Sequence, residues 1–228
     1  MATTQTNNVD VNALTAACKV ITGLGTISYA FLTEPRPSED GKAPKYSTSF
    51  LIPKSDIKTL GKIRDAINAA AQLGKIDKWN GKIPDPLKHP LRDGDAEAEE
   101  KGQEYEGHYF LNASSIRKPR IVNFQIQDIL DPDEIYSGCK CRLSLSFYPF
   151  NTNGNKGIAC GLNNVQKIED GEPMGGVRSK AEDDFADCSD LDLSFDEPGT
   201  TPAASSKPAA AAKKGDDILS GIDFGNVA

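Results

Sequence analysis

The chain has 228 residues, 38% of them hydrophobic and 26% charged, with a formal net charge of −7. Length and polarity predict one compact domain with polar tails, and no run approaches the ~18 apolar residues of a membrane-spanning helix. Five cysteines (Cys18, Cys139, Cys141, Cys160 and Cys188) are an odd, sparse set, which argues against a disulfide scaffold and for a reducing compartment.

Residues 1–13 read as a disordered polar leader, without the basic start and apolar middle of a secretory signal. From residue 18 to 32, CKVITGLGTISYAFL is rich in β-branched and aromatic residues and predicts a long strand. Gly23 and Gly25 inside it predict a bulge or sharp bend. EPRPSEDGKAP is a loop, and residues 46–52 form a second strand ended by Pro53. Ser55 reads as an N-cap for a helix over 56–73, because Ile57, Leu60, Ile63, Ile67 and Ala70 recur at helical spacing. Lys58, Lys62 and Arg64 then face water. Residues 74–106 read as irregular and long for a structureless loop, a length that is usually functional or mobile. Short strands follow at 107–114 and 119–127. The clearest strand is 136–150, YSGCKCRLSLSFYPF, with the turn NTNGNK and a hairpin partner at 157–168. Five or so curled antiparallel strands and one amphipathic helix predict a mainly β fold, an oligonucleotide-binding (OB)-like antiparallel β-barrel over residues 14–172. Residues 173–228 are expected to be a disordered acidic tail with a Pro/Ala/Ser linker.

The charge is unevenly placed. Residues 171–228 hold 5 basic and 12 acidic residues, so the first 170 residues are neutral overall. Within them, residues 93–106 carry seven acids against Lys101 alone, which leaves the rest of the body at 20 basic and 14 acidic residues. A cationic body beside a detachable acidic tail suits a polyanion binder that blocks its own site. The same distribution also suits a tail that only aids solubility.

Strand alternation sorts 136–150 by face. Cys139, Cys141, Leu143, Leu145 and Phe147 point to the core; Arg142, Ser144, Ser146, Tyr148 and Phe150 share the other face. That second face combines a cation with two aromatics, as base stacking and phosphate neutralisation require, although it equally fits a small cluster under a loop. Arg117, Lys118 and Arg120 form a cationic segment stiffened by Pro119, able to track a phosphate backbone or simply to be solvated. Lys45 beside Tyr46, and Lys156 in the NTNGNK turn, repeat the theme. The two histidines, His89 and His108, lack ligand spacing, and no phosphate loop, nucleophile elbow or HExxH occurs. Cys139 and Cys141 with Cys18 and Cys160 offer a zinc set, but buried reduced thiols are the favoured reading. The carboxylates of 93–106 offer a Mg²⁺ set on a loosely written loop. No metal, cofactor or catalytic residue is therefore expected.

The blocks GTISYAFL, YSTSFLIPK, the lone Trp79, YEGHYFLNASS, Lys118–Pro119, YSGCKCRLSLSFYPF and KGIACGLNNVQ occur in this order. Their order resembles a family of phage and prophage single-stranded DNA-binding proteins. The resemblance covers about residues 18–171. It implies a non-enzymatic OB-type barrel that coats DNA during phage replication or recombination in the cytoplasm of the infected bacterium. The tail bears a looser likeness to the acidic, aromatic-ended tips through which such proteins recruit replication partners and compete with DNA. Here Asp216, Asp217, Ile218, Leu219, Asp223 and Phe224 look like that tip, although GNVA follows Phe224.

The expected DNA-binding set is Lys45, Arg117, Lys118, Arg120, Arg142 and Lys156 for phosphates. Tyr46, Tyr148, Phe150 and Trp79 are expected to provide stacking. Single-stranded DNA is the expected partner, with duplex DNA left open and no membrane involved. The rivals are a metal-dependent nuclease acting on recombination intermediates and a phage protein-interaction module without DNA affinity.

Overall fold

The computed structural model describes residues 10–37, 43–152 and 154–174. Residues 1–9, the middle of the EPRPSEDGKAP loop, Asn153 and the acidic tail with its tip lie outside the described residues. Part of the expected leader is helical: α1 (Val11–Ala17) starts where the Asp10 carboxylate accepts hydrogen bonds from the Asn12 and Ala13 amides.

The first predicted strand is two strands, β1 (Lys19–Ile21) and β2 (Gly25–Arg36). Residues 22–24 break it where Thr22 bonds Leu143 and the Gly23 amide donates to Thr59 Oγ1 at 2.8 Å. Gly25 admits the Leu51 carbonyl and the Phe50 ring so closely that a Cβ would collide with both. β3 (Lys45–Pro53) follows. The helix α2 (Ile57–Asp77) is capped by Asp56 rather than Ser55, since the Asp56 carboxylate accepts the Thr59 amide at 3.0 Å. It buries a stripe of small residues, Ala66, Ala69, Ala70, Ala71 and Gly74, which lets it lie close to the sheet.

The remaining elements are β4 (Leu91–Asp93), α3 (Ala98–Lys101), β5 (His108–Ser115), β6 (Arg120–Val122), β7 (Lys140–Thr152) and β8 (Asn155–Glu169). The predicted strand 119–127 is thus only three residues long, because Asn123 turns the chain: its side-chain oxygen accepts the Gln125 and Gln127 amides.

The fold is mainly β and OB-like, as expected. β3 pairs antiparallel with β2 and β5, and β7 pairs antiparallel with β1, β2 and β8. β8 runs parallel to β5 at Ser114–Gly161, and parallel to β6. The ring β2–β3–β5–β8–β7 therefore closes with one parallel step, against the all-antiparallel expectation. Five strands cannot alternate direction all the way around a closed ring, so one neighbouring pair must run the same way. Ile27, Leu32, Phe50, Ile52, Leu111, Leu143, Leu145, Phe147 and Val165 fill the interior, with Ile63 of α2 beneath.

Cys139 and Cys141 face the core as predicted, and Cys18, Cys139, Cys141 and Cys160 are all buried free thiols. Burial pushes each of these thiols up from its ordinary value. Among the described residues no group of three or more His, Cys, Asp or Glu side chains is placed to hold a metal ion. Neither the cysteine set nor the acids of 93–106 converge on a site. No described helix is long and apolar enough to cross a membrane.

Candidate nucleic-acid interface

The most informative local departure from strand regularity is at Tyr29, whose φ is 48°. Ser28 pairs with Ser49 and Phe31 with Ser47, so three steps along β2 match two along β3. Such a bulge reverses which side chains face inward. Regular alternation would bury Tyr29 and Phe31 on the same side as Ile27. Instead Leu32 is fully buried and Tyr29 and Phe31 stand 51% and 36% exposed on the outside of the barrel.

On that outer face, β3 and β5 present Ser47, Ser49, Leu51, Phe110 and Asn112. The segment between β4 and β5 covers only the lower half. Tyr105, fully buried, packs edge-on against Phe110 with ring centroids 5.0 Å apart, and Leu51 joins the cluster. The upper half stays open as a groove of about 470 Å³ lined by Tyr29, Phe31, Arg36, Ser47, Ser49, Lys101, Tyr105 and Asn112, with Thr48. Its floor is short and polar, its one wall aromatic, and its lining includes two cations and no carboxylate. Arg36 lies 5.6 Å from the Phe31 ring centroid, a cation–π pair that holds both groups at the rim.

The acid-rich segment 93–106 is ordered, not structureless. Lys54 Nζ lies 2.6 Å from both Asp93 and Asp95, and Arg92 and Lys101 pair with Glu97 at 3.1 and 3.7 Å. The hydrogen bond from Lys54, with a second from the Gly107 amide, holds the Asp95 carboxyl below its ordinary value; the two carboxylates hold the Lys54 ammonium above its own. Arg92 and Lys101 also sit over the Phe110 ring, at 4.4 and 5.9 Å. Three of the seven acids are thus neutralised by cations in a clasp that delivers Lys101 and Tyr105 to the groove.

The residues predicted from sequence are dispersed. Lys45 pairs in register with Arg36, and Tyr46 with Ser115, which puts both at the groove end of β3. Lys118 and Arg120 line a separate concavity, and Arg120 is bound by Asp128 at 2.6 Å. Arg142 and Tyr148 are exposed on the outer face of β7, which is not part of the groove, and Arg142 donates to the Thr22 carbonyl. Phe150 and Lys156 sit near the tip of the β7–β8 hairpin.

Trp79 requires correction. It is 3% exposed, packed on Gly74 and Pro149, and its indole N–H donates to the Phe150 carbonyl at 3.1 Å, so its ring is core and presents no platform. Tyr29, Phe31, Arg36, Lys101 and Asn112, which line the groove, were not legible in the sequence as a cluster. Tyr29 and Phe31 share a strand parity with Ile27, and only the bulge turns them outward.

Comparisons with known proteins lead to phage single-stranded DNA-binding relatives. Residues 18–195 match the family described as the single-stranded DNA-binding protein of Enterobacter phage Enc34. A protein (p50) of Acyrthosiphon pisum secondary endosymbiont phage 1 is 33% identical over 175 residues, 71% of this chain and 91% of its own. The Enc34 single-stranded DNA-binding protein, solved in complex with single-stranded DNA, matches with a TM-score of 0.58 and 28% identity over 70% of this chain and 90% of that one. At 16% identity and a TM-score of 0.51, gp2.5, a single-stranded DNA-binding protein encoded by bacteriophage T7, shares the fold over 81% of this chain and 98% of its own. The chain belongs to the Enc34-type family of phage single-stranded DNA-binding proteins.

Proposed function

We propose that this protein coats single-stranded DNA without sequence preference, with the strand laid across β2, β3 and β5. The observation that carries this reading is the pair of outward aromatics, Tyr29 and Phe31, on a carboxylate-free groove flanked by Arg36 and Lys101. Every base has a π-face, so stacking on such a wall is indifferent to sequence. OB barrels characteristically bind oligonucleotides on this face and at the loops that flank it. Lys45 and Tyr46 extend the groove at one of those loops, and Lys156 stands at the other.

The acid-rich tail of residues 171–228 modulates binding by competing for the same cations. Its tip (Asp216, Asp217, Ile218, Leu219, Asp223 and Phe224) recruits replication or recombination proteins. This half of the proposal rests on the sequence, where all the net negative charge lies beyond residue 170.

Titration of a labelled oligothymidine against salt tests the groove. Three to four phosphate contacts predict a slope of log K on log salt of roughly −2 to −3, at ~0.7 per contact on a single strand. A response flat in salt would remove the phosphate contacts from the mechanism. Magnesium-dependent degradation of the oligonucleotide would replace the reading with the nuclease rival.

A further inference from the structure

A regular strand points successive amides to alternate edges, so residues three apart face opposite neighbours. Across the bulge of β2 they do not. The Ile27 amide donates to the Cys139 carbonyl at 3.1 Å, on the edge that faces β7. The Ala30 amide, three residues on, donates to Ser137 Oγ at 3.1 Å on that same edge. Between them stands Tyr29, at a φ of 48°. An aromatic residue keeps such a left-handed backbone where its surroundings impose it.

Two hydroxyls impose it, one from each edge. A bulge takes groups of its strand out of the ladder. On the β3 edge, Thr48 lies between Ser47 and Ser49, opposite the bulge, and is 2% exposed. Its hydroxyl donates to the Ser28 carbonyl at 3.0 Å, closer than the 3.3 Å to the carbonyl of its neighbour Ser49. On the β7 edge, Ser137 is itself braced. The Gly138 amide donates to the Ile27 carbonyl at 2.7 Å, and the Ser137 carbonyl accepts the Met174 amide at 2.8 Å. Beside it, the Tyr136 hydroxyl reaches the Asp170 carboxylate and the Gly171 carbonyl at 3.1 and 3.0 Å. A serine fixed in this way presents its oxygen at a set point rather than following the strand.

These bonds belong to one register. Without the bulge, Ala30 would turn its amide toward β3 and away from Ser137, and Tyr29 and Phe31 would keep the inward parity of Ile27. A partner that bonds one arrangement and not the other favours it by that difference. We infer that Ser137 and Thr48 are positioning residues for single-stranded DNA: they latch the bulge from its two edges and so hold the rings of Tyr29 and Phe31 outward, without either needing to touch the strand. This rests on the groove proposed above.

The test is oligothymidine titration of full-length variants, well below the melting temperature of each. Ser137→Ala and Thr48→Val should each weaken binding at least about fivefold, the effect of one buried hydrogen bond left unmade. The slope of log K on log salt should stay as in the wild type, because no phosphate contact is removed. Thr48→Ser keeps the hydroxyl and should bind within about twofold of wild type. In a background without both rings, Tyr29→Ala with Phe31→Ala, Ser137→Ala should cost no further affinity beyond about twofold. Normal affinity in Ser137→Ala beside a weakened two-ring variant would overturn the inference and leave the groove standing. So would a loss from Ser137→Ala undiminished in the two-ring background, a reduced salt slope, or a Thr48→Ser as weak as Thr48→Val. Normal binding by the two-ring variant itself would remove the groove and the inference with it.

Discussion

Replacing Phe31 by alanine isolates the aromatic wall from the rest of the barrel. The ring is more than one-third exposed and projects from the outer face after the bulge, so the interior around Leu32 and Phe50 loses no contact. What is lost is one stacking platform, worth ~1–3 kcal/mol per base, or roughly 5- to 150-fold in affinity. The cation–π partner of Arg36 goes with it, which leaves the guanidinium free to swing away from the rim and puts the expected loss in the upper half of that range. Fluorescence anisotropy with an oligothymidine, paired with a thermal melt, measures both quantities. Tyr148→Ala is the matched control: it removes an exposed aromatic of the same strand-borne kind from β7, outside the groove, and should leave affinity within about twofold. If Tyr148→Ala weakens binding and Phe31→Ala does not, the DNA path lies along β7 and the groove has been misassigned.

Four further outcomes are expected. Trp79, the single tryptophan, should be shielded from acrylamide with or without DNA; Trp79→Ala should cost ~3–5 kcal/mol of stability, measured by denaturant unfolding. The Lys54–Asp95 clasp should contribute stability that is constant through neutral pH. The lowered Asp95 carboxyl keeps its contribution above the ordinary 3.8 and loses it as pH falls through its folded value, while the raised Lys54 ammonium loses its own only above 10.5. The stability gap between wild type and Lys54→Met should therefore be the same at pH 6 and pH 8 and shrink below 3.8. Cys18, Cys139, Cys141 and Cys160 should react with a thiol reagent only on unfolding, since burial disfavours each thiolate; modification of these four in the native protein would contradict their placement. Removing residues 177–228, which hold 11 acidic and 5 basic residues, should tighten oligothymidine binding at low salt, with the gap closing as salt rises; equal affinities at low salt would leave the tail a partner tether only.

Much of the barrel was legible because its signals are local. The alternation of 136–150 placed Cys139, Cys141, Leu143, Leu145 and Phe147 inside, where they are. The periodicity after Ser55 found the helix, missing its cap by one residue and its end by four. What pattern reading could not supply was any effect that depends on a second element. The side on which Tyr29 and Phe31 emerge is set by register against β3, and Trp79 is buried because Gly74 and Pro149 leave it a place. Applied to regular alternation, the criterion of aromatic residues beside cations selects β7; the register against β3 shows that β2 carries such a pair as well.

The acidic stretch 93–106 shows how charge counting misleads in the same way. Read as a run, its seven acids repel DNA or solvate a loop. Folded, Asp93, Asp95 and Glu97 are consumed by Lys54, Arg92 and Lys101, and the anchored segment covers Leu51, Phe110 and Ser49, whose hydroxyl accepts from Tyr105, while leaving Ser47 and Asn112 accessible. Half a sheet face sealed by an insertion and half left open is what makes a groove out of a flat surface. On the proposed path the acids do not oppose DNA; through the clasp they set the length of sheet surface left uncovered for a strand.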